Sequence, residues 1–331
     1  MAERLYDVVG IGSAIVDIIA RCDDDFIGRQ GLSKGAMRLI DAAEVERLYG
    51  EMGPAIETSG GTVPNTCAGL ASFGGKAAFI GKVARDQMGA VFTHDIRAIG
   101  VTFETAPAEN SAPTARCLIL VTPDGERTMN TFLGAATELT SSELDPALIG
   151  AGQVLYLEGY SFDQPRAKQA FHEAAEIARA ARVTVAISLS DPFCVDRHRA
   201  DFLDFIRHGV DLVFANESEA LSLYETADFD AACRALSADC KLAAVTRSAK
   251  GSVILSGGEV VSVAAAPVER VVDTTGAGDL YASGFLFGHA RGLNLATCGK
   301  LGSLAAAEVI SHIGPRPEAS LASLAKAQNL I

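Results

Sequence analysis

A short turn near the C-terminal end places the tightest constraint on how this chain folds. It reads Val271-Val272-Asp273-Thr274-Thr275-Gly276-Ala277-Gly278-Asp279, and an apolar, small-residue stretch at 280–288 follows it. Because the turn has so few bulky side chains, its backbone N–H groups can come close to a ligand. We predict that a helix begins at Gly276 or Ala277, which puts those N–H groups at its positive end. The stretch therefore predicts an anion site at a helix N-terminus.

Asp279 lies in the first turn of that predicted helix, beside the anion site. A carboxylate in this place would repel a bound phosphate, but it could accept a proton from an attacking hydroxyl group. Asp279 is therefore a candidate general base, and the amides of Gly276, Ala277 and Gly278 are candidate donors to a phosphoryl group in transfer. The alternative is an ordinary turn whose acidic residue is favoured by the helix dipole.

A second glycine-rich stretch, at residues 59–71, carries another candidate binding group. Gly60 and Gly61 allow the backbone to approach a ligand, and Asn65 offers both a donor and an acceptor to a hydroxyl group. The stretch predicts a turn that leads into a helix. The alternative is a glycine turn with a capping asparagine.

The first apolar segment, at 7–12, predicts a buried strand that ends in glycines. The sequence that follows suggests a dinucleotide-binding turn, but Ile15 stands where such a turn needs its third glycine. Asp17 interrupts the apolar run after this strand. A carboxylate in that position either caps a turn or binds the hydroxyl groups of a substrate.

A third polar group follows the predicted strand at 212–215. It reads Asn216-Glu217-Ser218-Glu219. Mg²⁺ prefers oxygen ligands and keeps several of its waters, so a carboxylate that acts through water is chemically reasonable here. The alternative is a capping asparagine followed by an acidic first helical turn.

Taken together, these strings resemble the signatures of the ribokinase-like (PfkB) family of carbohydrate and nucleoside kinases. The resemblance implies that Asp279 is the general base, that the 276–278 amides form an anion hole, and that Asp17 binds sugar hydroxyls with help from Gly60, Gly61 and Asn65. It further implies that Asn216 and Glu219 order Mg²⁺ and its waters beside the phosphates of ATP. A monovalent cation such as K⁺ is also compatible with this family.

The resemblance also implies where ATP binds. Family members hold ATP at a TxGxxG turn between two strands, and here Thr246 and Gly251 match while Ser248 replaces the first glycine. Ser303 and Ala306 lie on a small-residue helix face that either makes room for adenine or allows close helix packing. All five residues are expected to contact the nucleotide.

Within the family, the chain is most similar to the adenosine kinases. The resemblance implies that Arg127 on a lid hairpin approaches the phosphates, that Leu133 and Gly134 contact the nucleoside, and that Tyr160 stacks on its base. The expected reaction is transfer of the ATP γ-phosphoryl group to a primary hydroxyl, the 5′-hydroxyl of adenosine. A kinase for ribose, fructose or a related sugar is one alternative, and a non-catalytic ligand-binding protein on this fold is another.

The distribution of strand and helix patterns predicts an α/β fold. From residue 151 onward, strand patterns at 154–157, 183–187, 212–215, 242–246 and 252–255 alternate with helical stretches, which predicts a parallel sheet covered by helices on both faces. By resemblance, the fold is a ribokinase-like doubly wound, mostly parallel sheet with a small β-sheet lid. We assign residues 1–13, 58–110 and 137–331 to the large domain, and residues 14–57 and 111–136 to the lid.

Composition restricts the partners and the location. The 331 residues carry a net charge of −13, which argues against a nucleic-acid-binding surface. The seven cysteines show no CxxC pair, and neither a signal-peptide pattern nor a membrane-length apolar run is present. We expect a cytoplasmic protein that is a monomer or homodimer, binds small molecules, and contacts neither nucleic acid nor membrane.

Overall fold

The computed structural model describes residues 4–331, so the first three positions of the predicted large domain lie outside it. Its strands form two separate sheets. In chain order the strands are β1 (Tyr6–Ile11), β2 (Ile15–Arg21), β3 (Met37–Leu39), β4 (Ala55–Gly60), β5 (Ala77–Ile80), β6 (Thr102–Phe103), β7 (Ala115–Val121), β8 (Arg127–Phe132), β9 (Gly152–Glu158), β10 (Thr184–Ser188), β11 (Leu212–Asn216), β12 (Leu242–Thr246), β13 (Ser252–Ser256) and β14 (Glu259–Val263).

Helices connect most of these strands. They are α1 (Asp24–Arg29), α2 (Ala42–Glu51), α3 (Thr62–Ser72), α4 (Gln87–Ala98), α5 (Pro146–Gly150), α6 (Pro165–Ala180), α7 (Pro192–Gly209), α8 (Glu217–Leu223), α9 (Phe229–Asp239), α10 (Ala277–Ala290), α11 (Leu295–Val309) and α12 (Leu321–Ala327). Among residues 4–331, no helix is long and apolar enough to cross a membrane.

The large sheet has nine strands in the order β14-β13-β12-β11-β10-β9-β1-β5-β6. Strands β12 through β6 in this order are mutually parallel. One face packs against α3, α10 and α11, and the opposite face packs against α5 to α9. With helices on both faces, the expected doubly wound, mostly parallel α/β fold is confirmed.

The prediction of parallel pairing fails at one edge of this sheet. Strand β13, predicted at 252–255, pairs antiparallel with β12, and β14 pairs antiparallel with β13. Only residues 247–251 separate β12 from β13, and a parallel crossover needs a dozen or more residues. A connection this short can only reverse the chain.

The second sheet has five strands in the order β3-β8-β7-β2-β4. Its strands come from residues 15–60 and 115–132, and two of them, β2 and β4, lie in segments where we predicted no strand. One face carries a small apolar cluster that packs against Ile313 of the large domain. We call this sheet, with α1 and α2, the lid.

The two sheets meet where the strands of the large sheet end. In a doubly wound sheet, ligands bind outside the carboxyl ends of the parallel strands. Here β1 leads into the lid through residues 12–14, and β4 returns from the lid into α3 through Gly61. A cleft forms between the lid and the carboxyl ends of β1, β9, β10, β11 and β12.

Candidate active site

The cleft between the lid and the large sheet has a volume of about 900 Å³. Most of the predicted site residues line it: Asp17, Gly61, Asn65, Leu133, Tyr160, Asn216, Glu219, Thr246, Gly276, Ala277, Gly278 and Asp279. The other predicted site residues do not line it: Gly60, Arg127, Gly134, Ser248, Gly251, Ser303 and Ala306. The structure therefore brings together residues from distant parts of the chain at one end of the sheet.

The glycine turn before α10 has the geometry of an anion site. Gly276 is the N-cap of this 14-residue helix and adopts the left-handed conformation, with φ of +76°. A Cβ atom here would lie 2.8 Å from Cβ of Pro315, so both the conformation and the packing favour glycine. Helix α10 begins at Ala277, as predicted, and residues 276–278 line the cleft at the positive end of the helix. The amide of Ala277 donates a 3.2 Å hydrogen bond to the carbonyl oxygen of Thr274.

Asp279 is held beside Asn65 because helices α3 and α10 pack closely. Gly69 of α3 allows this approach, since a Cβ atom there would lie 2.3 Å from Oγ of Ser283 on α10. Asn65 Nδ2 donates a hydrogen bond of 2.9 Å to Asp279 Oδ2. The other amide atom of Asn65, Oδ1, is buried without a hydrogen-bond partner. That free oxygen can accept a hydrogen bond from a hydroxyl group of a molecule in the cleft.

The Asp279 carboxyl is only partly exposed at the floor of the cleft. Burial raises its pKa to about 7, the negative charges of Glu158 and Asp17 act in the same direction, and the hydrogen bond from Asn65 opposes them. A carboxylate whose pKa lies near neutrality can accept a proton from a hydroxyl group far better than one with an ordinary pKa. The environment of Asp279 therefore suits a general base.

Asp17 lies on β2, where the lid borders the cleft. Its side chain is buried, which raises its pKa to about 6, while the positive charges of Arg316 and Arg127 act to lower it. Gly60 on the paired strand β4 makes room for this carboxylate, because a Cβ atom there would lie 2.2 Å from Asp17 Oδ2. Gly60 thus supports the site without lining the cleft.

Arg316 is a functional candidate that the sequence did not suggest. Its guanidinium donates hydrogen bonds to the carbonyl oxygens of Ser59 and Pro64, which flank Gly60 and Gly61. Its charge also acts on Asp17 and Asp279. No motif surrounds it, and only the fold of the C-terminal segment brings it to the turn that holds Gly60 and Gly61, outside the lining of the cleft.

Glu158 is a second candidate that we did not predict, although it is two residues before Tyr160. It ends β9 with only 1% of its surface exposed, and burial raises its pKa. Glu158 Oε1 accepts a 2.8 Å hydrogen bond from the amide of Ser13, while Oε2 is buried without a partner. Gly12 allows this approach, since a Cβ atom there would lie 2.5 Å from Oε2. The free oxygen is available to a ligand hydroxyl group.

Asn216 and Glu219 form a capping box at the start of α8. Asn216 Oδ1 accepts from the Glu219 amide at 2.8 Å, and Glu219 Oε2 accepts from the Asn216 amide at 2.9 Å. This is the capping role that we considered as the alternative to metal binding. Both residues nevertheless face the cleft.

The charges around Glu219 fit a hydrated divalent cation. Glu219 is 4% exposed, and burial, together with the charges of Asp191 and Asp279, raises its pKa to about 7. A cation between these three carboxylates would offset their mutual repulsion. Within residues 4–331, no group of three or more His, Cys, Asp or Glu side chains is placed to hold a metal directly. The burial of Glu219 and the charges of Asp191 and Asp279 beside it suit a divalent cation that keeps its waters, as Mg²⁺ does.

Of the five residues expected to contact ATP from Thr246 onward, Thr246 alone lines the cleft. Ser248 and Gly251 form the turn between β12 and β13, outside its lining. Ser303 Oγ accepts a hydrogen bond from the Ala266 amide at 2.7 Å, so it joins α11 to the loop after β14. For Ser303 and Ala306, close packing is thus the role that the structure supports.

The opposite side of the cleft is apolar and aromatic. Tyr160 lines it with 37% of its surface exposed, whereas Tyr156 is 1% exposed and packs edge-on against Phe214 in the core. The lid adds Met37 and Leu39 to the lining of the same cleft, and these side chains are 49% and 61% exposed. Leu133 also lines this side, while Gly134 turns the chain beneath it with φ of +41°. A flat apolar group fits between these walls.

Arg127 has a different neighbour from the one we expected. Its Nη1 lies 2.6 Å from Asp273 Oδ2, and both side chains are buried. The N–H groups of Arg127 are not aligned for hydrogen bonds, so the contact is an ion pair. The guanidinium does not line the cleft.

Comparisons with known proteins agree with this geometry. An adenosine kinase from Saccharomyces cerevisiae is 25% identical over 330 residues, covering 93% of this chain and 96% of that protein. The crystal structure of adenosine kinase from Sinorhizobium meliloti is 58% identical, with a TM-score of 0.91 over 98% of this chain and 99% of that one. A structure described as a probable sugar kinase from Rhizobium etli CFN 42 is 54% identical, with a TM-score of 0.93 over 99% of this chain and 100% of that one.

The family resemblance suggested by the glycine turns extends to most of the sequence. The profile of pfkB family carbohydrate kinases matches residues 46–320, which include the Gly60–Asn65 turn, the Asn216–Glu219 box and the Gly276–Asp279 turn. The ribokinase-like fold expected from the sequence is confirmed by the structural neighbours. The chain is a phosphotransferase of the pfkB family of carbohydrate kinases.

Proposed function

We propose that this protein transfers the γ-phosphoryl group of ATP to the 5′-hydroxyl of adenosine. One observation carries the proposal: Asp279, with a pKa near neutrality, lies in the first turn of a helix whose N-terminal residues 276–278 line the same cleft. This arrangement puts a base for the hydroxyl and donors for the phosphoryl group side by side. Both are requirements of phosphoryl transfer.

The proposed reaction proceeds in one displacement. The ribose hydroxyls bind Asp17 and Asn65, which leaves the 5′-hydroxyl directed toward Asp279. As the 5′-oxygen bonds to the γ-phosphorus, Asp279 accepts the hydroxyl proton, and the bond between phosphorus and the β,γ-bridging oxygen breaks to release ADP. The amides of Gly276, Ala277 and Gly278 stabilise the negative charge on the transferred group.

The apolar side of the cleft supports a nucleoside acceptor. Met37 and Leu39 on the lid and Tyr160 on the large domain leave a slot into which a nucleobase fits. A bare sugar would leave these side chains in water, whereas a stacked base buries them, and stacking contributes ~1–3 kcal/mol per base. That corresponds to about 10- to 100-fold discrimination, because about 1.4 kcal/mol is tenfold.

ATP and Mg²⁺ complete the proposal. Asn216, Glu219 and Thr246 would face the nucleotide, with Ser248 and Gly251 shaping the turn behind it. Mg²⁺ bound through water near Glu219 supplies positive charge to the phosphates. The proposal also includes a monovalent cation such as K⁺ as a second ion. It further includes a cytoplasmic location, a monomeric or homodimeric state and no binding to nucleic acid.

A sugar kinase is the second candidate, and two observations favour it. The 54% identical structure from Rhizobium etli is described as a probable sugar kinase. In addition, the free Oε2 of Glu158 can accept a further hydroxyl group at the floor of the cleft. Under this alternative, Asp279 and the glycine turn at residues 273–278, which we call the anion turn, keep their roles and only the acceptor changes.

The deciding experiment measures kcat/KM under saturating Mg-ATP for adenosine, guanosine, inosine, ribose, fructose and fructose 6-phosphate. We expect adenosine to exceed every sugar at least tenfold, for the reason of base stacking. Asp279→Asn protein, purified in parallel, controls for contaminating kinases. A sugar that equals or exceeds every nucleoside contradicts the nucleoside assignment, and binding without any ATP turnover identifies a non-catalytic protein.

A further inference from the structure

The ion pair between Arg127 and Asp273 connects the lid to the anion turn. Arg127 begins β8 of the lid, and Asp273 lies three residues before Gly276. Their charged atoms are 2.6 Å apart, and the two side chains are 8% and 2% exposed. Because the pair is almost completely shielded from water, its energy depends strongly on the relative position of its two charges.

Asp273 also determines the path of the backbone around the turn. Its Oδ1 accepts a 3.0 Å hydrogen bond from the amide of Thr275, which bends the chain toward Gly276. Its Oδ2 accepts a 2.9 Å bond from the amide of Gly314. The same carboxylate therefore contacts the lid, the turn and the C-terminal segment.

The residues on either side of Gly314 extend this connection. Pro315 packs against Gly276, and Ile313 packs against the apolar cluster beneath the lid sheet. On the lid, the tip of the hairpin between β7 and β8 approaches the same region, since a Cβ atom on Gly125 would lie 3.8 Å from the carbonyl oxygen of Val272. The anion turn thus lies between the lid and the 313–316 segment.

We infer that Arg127 and Asp273 are positioning residues. Through their ion pair, the position of the lid fixes the conformation of the turn and so the positions of the 276–278 amides. When the lid is seated, Arg127 neutralises Asp273, and Asp273 holds Thr275 and Gly314 in place. When the lid moves away, Asp273 is left as an unpaired buried carboxylate, and the turn loses its fixed conformation. The inference rests on the proposed phosphoryl transfer, and it assigns Arg127 a role through Asp273 instead of direct contact with phosphate.

The first test is Arg127→Met, which removes the lid charge but leaves the bonds from Asp273 to Thr275 and Gly314 possible. We expect kcat to fall about 10- to 100-fold, because misplaced anion-hole donors reduce the rate by such factors. The dissociation constant for adenosine, measured by calorimetry without ATP at pH 8, should change less than about threefold. Arg127 does not line the cleft, and Asp17, whose pKa Arg127 helps to lower, stays ionised at that pH.

Hydrogen exchange supplies a readout that is independent of the acceptor. In Arg127→Met, we expect the amides of residues 273–278 to exchange at least about fivefold faster in the ligand-free protein. If the wild type phosphorylates a sugar instead of adenosine, the proposed function fails but this measurement still applies. Unchanged exchange in a folded Arg127→Met protein overturns the inference.

Arg116→Met is the matched control. Arg116 is an equally buried arginine on the neighbouring lid strand β7, but its ion-pair partner, Glu46, also belongs to the lid. Its removal should leave exchange at residues 273–278 unchanged and lower kcat less than about threefold. An equal effect of both variants would mean that general loosening of the lid, and not the Asp273 contact, controls the turn.

A double-mutant cycle separates action through Asp273 from direct phosphate contact. If Arg127 acts through Asp273, adding Arg127→Met to Asp273→Asn should lower kcat less than about threefold further. If Arg127 contacts phosphate directly, it should lower kcat equally in both backgrounds and raise the KM for ATP, which overturns the inference. Should Arg127→Met fail to fold, Arg127→Lys keeps the charge and is expected to show a smaller loss of kcat and a smaller rise in exchange.

Discussion

Replacing Asp279 with Asn is expected to stabilise the folded protein at alkaline pH while nearly abolishing its turnover. The carboxyl has a pKa of 3.8 as a free group and about 7 in the fold, because burial disfavours its charged form. Folding therefore costs free energy whenever this group must be ionised. The amide of Asn has no such cost, and it can still bond to Asn65.

The sign and size of the effect follow from linkage. Below pH 3.8 the carboxyl is protonated in both states and its ionisation costs nothing, whereas above pH 7 it is charged in both and the full cost applies. About three pKa units correspond to an upper bound of about 4 kcal/mol, at about 1.4 kcal/mol per unit. Since the carboxyl keeps some contact with water in the cleft, we expect about 1–3 kcal/mol at pH 8.

Thermal unfolding at pH 5 and pH 8 measures this directly. The Tm of Asp279→Asn should exceed that of the wild type by about 2 °C or more at pH 8, and the difference should shrink at pH 5. Turnover should fall ~10²- to 10⁴-fold, the usual range for loss of a general base. Two results would refute the account of Asp279 as a general base whose ionisation is disfavoured by burial: a variant that is less stable than the wild type at pH 8, or a variant that retains a tenth of the wild-type kcat.

Two further predictions concern the same cleft. The kcat/KM for the acceptor should rise with pH up to about pH 7 and then level off, because Asp279 accepts a proton only when it is ionised; a profile that falls between pH 6 and pH 8 contradicts its role. Glu219→Gln should raise the Mg²⁺ concentration needed for half-maximal activity while leaving nucleoside binding within about threefold, since its carboxylate is proposed to act through the metal's waters. An unchanged Mg²⁺ titration would exclude that role for Glu219.

The parts of the site that depend on local backbone geometry were predictable from the sequence. We predicted that a helix begins at Gly276 or Ala277, and α10 begins at Ala277 with Gly276 as its left-handed N-cap. The need for glycine in this left-handed conformation is set within a few residues, so the pattern is visible in one stretch of sequence. Gly60 differs, because it does not line the cleft and its missing side chain makes room for Asp17 on the paired strand.

The parts that depend on tertiary packing were not predictable. Glu158 ends an ordinary apolar strand, and only the glycine at position 12, directly after the neighbouring strand β1, gives it space. Arg316 reaches Ser59, beside Gly60, from an irregular C-terminal segment, and the contact of Arg127 with Asp273 joins residues 146 positions apart. Strand β2 escaped prediction because Asp17 interrupts its apolar pattern.

The lid contributes one cysteine, Cys117, to the lining of the cleft, and the surroundings of this thiol determine its reactivity. This thiol lines the cleft beneath Asp17, where burial raises its pKa to about 12 and the charge of Asp17 acts in the same direction. Alkylating agents and peroxides react with thiolates, and almost none is present at neutral pH. The cleft should thus tolerate oxidants, and nucleoside analogues that carry an electrophile should bind without labelling it. A change that removed the neighbouring carboxylate would lower the pKa of Cys117 only in part, because burial, the larger cause, would remain.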